Sequence, residues 1–304
     1  MLRRYFLLIL FAAAIFLPFS CNMEMETGVP DTEESFTFAF LTDIHLQPER
    51  DAIAGFESAI DKVNKLDPDF VITGGDLIMD ALGVSYGRSD SLYDLYAGMA
   101  GKFNMPVYNT IGNHEIYGWY EKSGADETHP EYGKKMYEKR IGPRYQVIEH
   151  KGWKIFILDS VEDNGEGGYK GGVDEEQLAW IEEELSATDT SQPLAISVHI
   201  PLMTVGAQIF KGATEPNSPG IVITNSKEVL ELFRDYNLKL VLQGHLHYLE
   251  DIYVFGTHFI TAGAVSGRWW RGPNLETEEG FLMVEVSGDD FDWDYVDYGW
   301  EVEE

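Results

Sequence analysis

Five short segments, in chain order, place a metal-ligating residue type where a strand-like run ends. They are Asp43-Ile44-His45, Gly75-Asp76, Gly112-Asn113-His114-Glu115, Val198-His199 and Gly244-His245-Leu246-His247. Five of the eight histidines of the chain lie in them. Using all five together requires a fold that gathers the carboxyl ends of several strands at one crevice. Layered αβ architectures do this, and their ligands collect outside those strand ends.

The rest of the chain agrees with such layering. Phe36 to Leu41, Phe70 to Thr73, Pro106 to Ile111, Leu194 to Val198 and Leu238 to Leu242 are short apolar runs that read as buried strands. Between them, Ile53, Phe56, Ile60 and Val63 recur at helical spacing over Ala52 to Leu66, and Asp67-Pro68-Asp69 stops that helix. Further helices are predicted over Ser89 to Lys102, Tyr132 to Lys139, Asp174 to Leu185 (Leu178, Ile181 and Leu185 on one face) and Lys227 to Tyr236. A hairpin is predicted around His150-Lys151-Gly152 and another at Ser287-Gly288-Asp289-Asp290, whereas glycine-rich Asn164 to Gly172 reads as a loop. From Ile252 onward strand-like runs alternate with turns.

The N-terminus is read apart from this domain. Met1-Leu2-Arg3-Arg4 is basic, Tyr5 to Phe19 is almost wholly apolar, and polar residues follow, which is the layout of a secretory signal. Ser20-Cys21 resembles the lipobox of bacterial lipoproteins, with Pro18 and Phe19 departing from the usual residues upstream. The expected organisation is a signal peptide over 1–20, an acidic flexible tether over 21–35 and a single domain over 36–304. On this reading the protein is expected to be exported, a periplasmic or cell-surface lipoprotein that meets the membrane only through a lipid anchor at Cys21; the alternative is an ordinary signal with an incidental cysteine. Because Cys21 is the only cysteine, the mature domain has no disulfide and no thiolate ligand.

The chain carries a net charge of −30. Loss of Arg3 and Arg4 with the signal leaves 20 basic against 52 acidic residues, a net −32. Long-range repulsion then excludes a nucleic-acid polymer as partner. A small phosphate ester is not excluded, since bound cations would reverse the field locally.

In an extended segment Asp43 and His45 project to the same side and can meet one ion. His245 and His247 share that spacing, although two adjacent imidazoles can serve different ions. Gly75 allows close backbone approach beside Asp76, whose carboxylate could bridge two metals. Mixed imidazole and carboxylate ligands suit manganese, iron or zinc better than calcium or magnesium. The three remaining histidines, His129, His150 and His258, have no such context.

With these residues in place, the chain resembles the calcineurin-like metallophosphoesterases, whose signature is D-x-H, G-D, G-N-H-[DE], a later H and G-H-x-H. Every element stands in order over Asp43 to His247, and Gly172 to Trp180 resembles a helix start frequent among bacterial members. The resemblance implies an α+β fold, a layered αββα sandwich of two mixed β-sheets flanked by helices, with the metal site at strand carboxyl ends. It implies one metal on Asp43, His45, Asp76 and His247, and a second on Asp76, Asn113, His199 and His245. His114 would face the phosphate rather than a metal, with Glu115 orienting it. The reaction implied is hydrolysis of a phosphate mono- or diester by in-line attack of a metal-bridging hydroxide. Purple acid phosphatases carry a ligating tyrosine three residues after the second-motif Asp. Met79 stands there instead, and the motifs look more like the cyclic-nucleotide phosphodiesterase branch.

The substrate side is read from aromatic and basic residues flanking the motifs. Tyr117, Trp119 and Tyr120 follow the third motif, and Arg268, Trp269, Trp270 and Arg271 lie beyond the last. Rings there can stack on a base or aryl group and an arginine can contact phosphate; equally, the tryptophans can pack a loop over the sheet edge. Two other functions compete: a catalytically inactive metal- or ligand-binding lipoprotein of the same fold, and a metal hydrolase of non-phosphate esters.

Overall fold

The computed structural model describes residues 35–302. The signal and most of the tether expected before residue 35 lie outside the described residues. In chain order the elements are β1 (Ser35–Leu41), α1 (Ala52–Leu66), β2 (Phe70–Thr73), α2 (Tyr86–Ala100), β3 (Val107–Asn109), α3 (Lys135–Arg140), β4 (Gln146–His150), β5 (Trp153–Ile157), β6 (Val161–Asp163) and β7 (Tyr169–Gly171). They continue as α4 (Glu175–Ser186), β8 (Pro193–Val198), α5 (Gly206–Lys211), α6 (Ser226–Leu232), β9 (Asn237–Gln243), β10 (Glu250–Val254), β11 (Thr257–Thr261), β12 (Gly280–Ser287) and β13 (Asp290–Asp297).

Two mixed sheets result. One has the order β13-β12-β1-β2-β3, the other β10-β11-β9-β8-β5-β4, and β6 pairs with β7 alone. β1, β2 and β3 run parallel, as do β5, β8, β9 and β11; the remaining strands are antiparallel additions. Alternation along β1 explains the layering. Phe36, Phe38 and Phe40 join Ile155, Ile157, Leu240 and Leu242 in a core between the sheets. Ala39 and Leu41 instead join Phe56, Ile60 and Val63 of α1. On the other sheet Ile196, Val198 and Val241 pack with Ile181 and Leu185 of α4 and Val229 of α6. The expected αββα sandwich is the observed fold.

Local signals mostly place the elements. α1 has the expected bounds and stops where Asp67 turns left-handed at φ 53° and returns its N–H to the Val63 carbonyl. α2 begins earlier than expected and α6 ends earlier. The 164–172 stretch is not wholly loop, since Tyr169–Gly171 pairs with Val161–Asp163 and the glycines form the turn between them. The short α5 had no signal of its own. Among the described residues, no helix is long and apolar enough to cross a membrane.

Candidate metal centre

Every motif ends up at one edge of the sandwich. The turns after β1, β2 and β3 carry Asp43, His45, Asp76, Asn113 and His114; those after β8 and β9 carry His199, His245 and His247. Backbone hydrogen bonds knit these turns together: Asp43 N–H to Gly75 O (3.0 Å), His45 N–H to Asp76 O (2.9 Å) and Gly244 N–H to His199 O (3.0 Å). Carboxylates add cross-links, with Asp76 Oδ1 accepting from His114 N–H and Asp43 Oδ2 from His245 N–H, both at 2.9 Å.

Asp43 and His45 do not meet by strand alternation. Asp43, His45, Asp76, His245 and His247 all have left-handed backbones, with φ of 54°, 46°, 52°, 73° and 58°. Non-glycine residues adopt that region uncommonly, and such strain gathers at functional sites. Close packing is part of the construction. Gly75 has φ 88°, and a Cβ there would lie 2.7 Å from the His199 ring; one on Gly112 would lie 2.3 Å from Asp76 Oδ1.

The side chains fall into groups that could hold a cation: Asp43 with His45 and His247, and Asp76 with His199 and His245. Asp76 Oδ2 links them, 3.2 Å from His199 Nε2 and 3.7 Å from His45 Nε2. Asn113 Oδ1 lies 3.1 Å from His199 Nε2. Three imidazoles are oriented by backbone carbonyls: His199 Nδ1 donates to Gly74 O (2.8 Å), His245 Nε2 to Gly220 O (2.8 Å) and His247 Nδ1 to Gly267 O (2.7 Å). Each then turns its other nitrogen inward. The inward nitrogens crowd, His199 Nε2 to His245 Nδ1 at 3.2 Å and His45 Nε2 to His247 Nε2 at 3.0 Å. Two nitrogens bound to one cation at about 2.1 Å would be spaced about 3.0–3.4 Å apart.

Asp43 Oδ1 is fully buried and, among the described residues, has no aligned donor, although His247 Nε2 stands 3.2 Å away. A buried anionic oxygen beside imidazole lone pairs wants a cation. The donor set therefore fits two divalent metals.

The charges in this cluster act on one another. Burial opposes ionisation of Asp43, but the charge of nearby His247 holds its pKa below the usual carboxylate range. Asp76 is likewise held well down against burial, by His199 and then His114. Burial alone would lower His199, yet the Asp76 carboxylate pushes it up to about 9. Burial and then His199 push His245 down to about 4. His45 falls well below its ordinary value through burial and His114.

His114 is only partly buried, its side chain 21% exposed. Its Nδ1 contacts the Met79 carbonyl, and its Nε2 lies 3.8 Å from Asp76 Oδ2. Distance alone also groups it with His45 and Asp76.

Glu115 does not orient His114. Its buried carboxylate accepts backbone N–H groups of Gly112 (2.7 Å), Leu77 (2.8 Å), Asp76 (2.9 Å) and Ile78 (3.2 Å), tying the second motif to the third. Burial and the Asp76 charge push its pKa up.

The flanking residues separate clearly. Trp269, 38% exposed, lies with its ring 4.7 Å from that of His247 and 6.0 Å from that of His45. Trp270 is buried and its Nε1 donates to the carbonyls of Ile44 (3.0 Å) and His45 (3.1 Å), so it is a strut under the centre and not a substrate contact. Arg268 is exposed, without a side-chain hydrogen bond or ion pair among the described residues. Tyr117 is buried against Tyr86 and His129, and half-buried Trp119 packs on the core. Tyr120 lies near enough for the charges of Asp80 and Asp76, after burial, to raise its pKa.

Tyr169 was missed. It stands edge-on to His245, ring centres 6.0 Å apart, and burial followed by Asp76 raises its pKa. A tyrosine after a glycine-rich turn carries no local signal of that position. His129, His150 and His258 belong to none of the candidate metal groups: His150 packs on Phe36 and Phe70, and His258 pairs with Asp251.

The model of the calcineurin-like phosphoesterase family matches residues 36–249. A protein of Xenorhabdus bovienii described as a "Probable cyclic nucleotide phosphodiesterase" is 22% identical over 82% of this chain and 95% of its own. A manganese-dependent ADP-ribose/CDP-alcohol diphosphatase of Arabidopsis thaliana is 26% identical over 48% of this chain and 55% of its own. Among solved structures, a dimetal phosphatase of Danio rerio superposes with a TM-score of 0.62 at 16% identity, covering 86% of this chain and 95% of that one. GAP50, the inner-membrane-complex anchor of Plasmodium, shares the fold with a TM-score of 0.55 at 16% identity, covering 88% of this chain and 86% of that one.

Proposed function

The chain belongs to the calcineurin-like phosphoesterase family, and we propose a specific division of labour among its residues. It is a metal-dependent phosphoric ester hydrolase with two divalent metal ions. We assign one ion to Asp43, His45, Asp76 and His247, and the other to Asp76, Asn113, His199 and His245. The observation that carries this is Asp76 Oδ2, placed between the two groups of inward-facing imidazoles.

When bound, two divalent ions polarise phosphoryl oxygens and lower the pKa of water enough to supply hydroxide near neutrality. Asp76 holds the two halves of the centre in register. His114 has Nδ1 engaged by Met79 O and Nε2 3.8 Å from Asp76 Oδ2, where Nε2 would donate to a phosphoryl oxygen or protonate the leaving oxygen as the ester bond breaks. Trp269 offers its indole face to a planar organic group, which favours a small ester of nucleotide or aryl type. The relatives described as acting on cyclic nucleotides and on nucleoside diphosphate derivatives support the same class.

The test is hydrolysis of aryl phosphate mono- and diesters, cyclic nucleotides and nucleoside diphosphate alcohols by the mature protein with added manganese. Activity is expected and chelator should stop it. Metal uptake without turnover on any ester would favour the binding-only lipoprotein, and turnover confined to carboxylic esters would favour the third reading.

We also place the protein outside the cytoplasm, held by lipid at Cys21. The support is sequence alone: the basic, apolar and Ser20-Cys21 order of residues 1–21. Cys21→Ser should release it from the membrane fraction; unchanged membrane association would count against the anchor.

A further inference from the structure

Four buried tyrosines have acceptors for their hydroxyls. Tyr93 donates to Glu115 O (2.7 Å), Tyr96 to Asn109 Oδ1 (2.5 Å), Tyr137 to Asn109 O (3.0 Å) and Tyr298 to Val265 O (2.5 Å). Tyr169 and Tyr120 are only half-buried, and Tyr169 stands beside His245 of the metal centre. Among the described residues no protein group accepts from either phenol, and the charge of Asp76 acts on both.

The position of Tyr169 is built rather than incidental. Gly171, two residues on, donates to Pro219 O (2.7 Å) and accepts from Thr224 N–H (3.0 Å) and Thr224 Oγ1 (2.9 Å). The segment so clasped also provides Gly220 O, the carbonyl that orients His245. The hairpin carrying Tyr169 and the ring it faces are thus fixed to the same stretch of chain. Beside it, the Tyr120 ring lies against Gly168, where an added Cβ would come 3.4 Å from Tyr120 Cε1.

The two ends of the centre are then furnished differently. His114 stands at the His45 end, ring centres 4.6 Å apart, and Tyr169 at the His245 end. A phosphoryl group over Asp76 would meet His114 on one side and the edge of Tyr169 on the other. We infer that Tyr169 donates its phenol hydrogen to a non-bridging phosphoryl oxygen at the His245 end of the cleft, with Tyr120 as the neighbouring hydroxyl. This rests on the proposed phosphoesterase centre, and it adds a neutral donor to a site in a chain of net charge −30. A phenol contributes a directed hydrogen bond there without an ammonium or guanidinium that nearby carboxylates would capture.

Tyr169→Phe removes the hydroxyl and keeps the ring on His245. In the manganese-loaded variant, two metals per chain should remain, while inorganic phosphate measured by calorimetry should bind about tenfold more weakly or worse. The value of kcat/KM should fall by a similar factor for 4-nitrophenyl and alkyl phosphodiesters alike. Tyr236→Phe, which alters a phenol bonded to Leu185 O far along the chain, serves as the control and should leave phosphate affinity unchanged.

Wild-type phosphate affinity in Tyr169→Phe overturns the inference alone. So does loss of metal, which would make Tyr169 a support for His245, or a rate loss that grows with leaving-group basicity, which would place the hydroxyl on the leaving oxygen. Failure of the manganese-loaded wild type to bind phosphate overturns the proposed centre, and this inference with it.

Discussion

His199 and His245 face each other across 3.2 Å, and each has committed its opposite nitrogen to a backbone carbonyl. The rings cannot both turn away without losing those bonds, so the site holds two imidazole nitrogens at a spacing suited to a shared cation. Asp76 Oδ2, 3.2 Å from His199 Nε2, extends the arrangement towards His45 and His247.

Asp76 and His114 should therefore respond differently to substitution. Asp76→Asn should lose both metals, measured by elemental analysis of the purified protein. His114→Ala should retain two metals and lose about 100-fold or more in kcat. Metal loss in the His114 variant would show that it is a ligand.

Glu115→Gln keeps the shape of a buried side chain whose two oxygens accept four backbone N–H groups. The amide –NH2 cannot accept, so some of those donors lose their partner. The expected cost is about 2–4 kcal/mol, read from the denaturant midpoint, with weaker metal retention because the second and third motifs are no longer tied.

Adjacent tryptophans should separate stability from substrate use. Trp270→Ala empties a buried site and frees two carbonyls, which should cost about 3–5 kcal/mol. Trp269→Ala should change the unfolding midpoint little and raise KM about tenfold for nucleotide-type esters, leaving simple alkyl esters nearly unaffected. Equal losses on every substrate would remove Trp269 from ring recognition.

Glu279 is buried at 3% exposure, and among the described residues its Oε1 has no hydrogen-bond partner. Burial, followed by the charges of Glu278, Asp297 and Glu301, raises its pKa above the usual glutamate range. A raised folded pKa contributes stability below the unfolded value, and that contribution disappears as pH rises through the folded value. Glu279→Gln should consequently melt about 2 °C higher than wild type at pH 8, with the difference closing towards pH 4. A constant difference across that range would mean that the carboxyl charge is not the cause.

Much of the fold was legible because local patterns encode it. The spacing of Phe56, Ile60 and Val63 marks a helix, and Asp67-Pro68 ends it where expected. The 164–172 segment was less legible, since a three-residue pairing such as β6 with β7 depends on anchors at Pro219 and Thr224, distant in sequence. Likewise nothing local distinguishes Trp269 from Trp270. Both have left-handed backbones, φ 54° and 63°, and which ring is buried follows from the carbonyls of Ile44 and His45.

By itself, the sequence determined which residue types could bind metal and that each follows a strand, because both are properties of short segments. Tertiary structure decided how they meet. Asp43 and His45 converge through left-handed backbones held by Gly75 O and Asp76 O, not through strand alternation. It also turned the inward nitrogens of His199, His245 and His247, moved Glu115 from His114 to the backbone, and put Tyr169 beside His245. Those outcomes rest on hydrogen bonds between segments tens to hundreds of residues apart, and a local pattern carries no record of such partners.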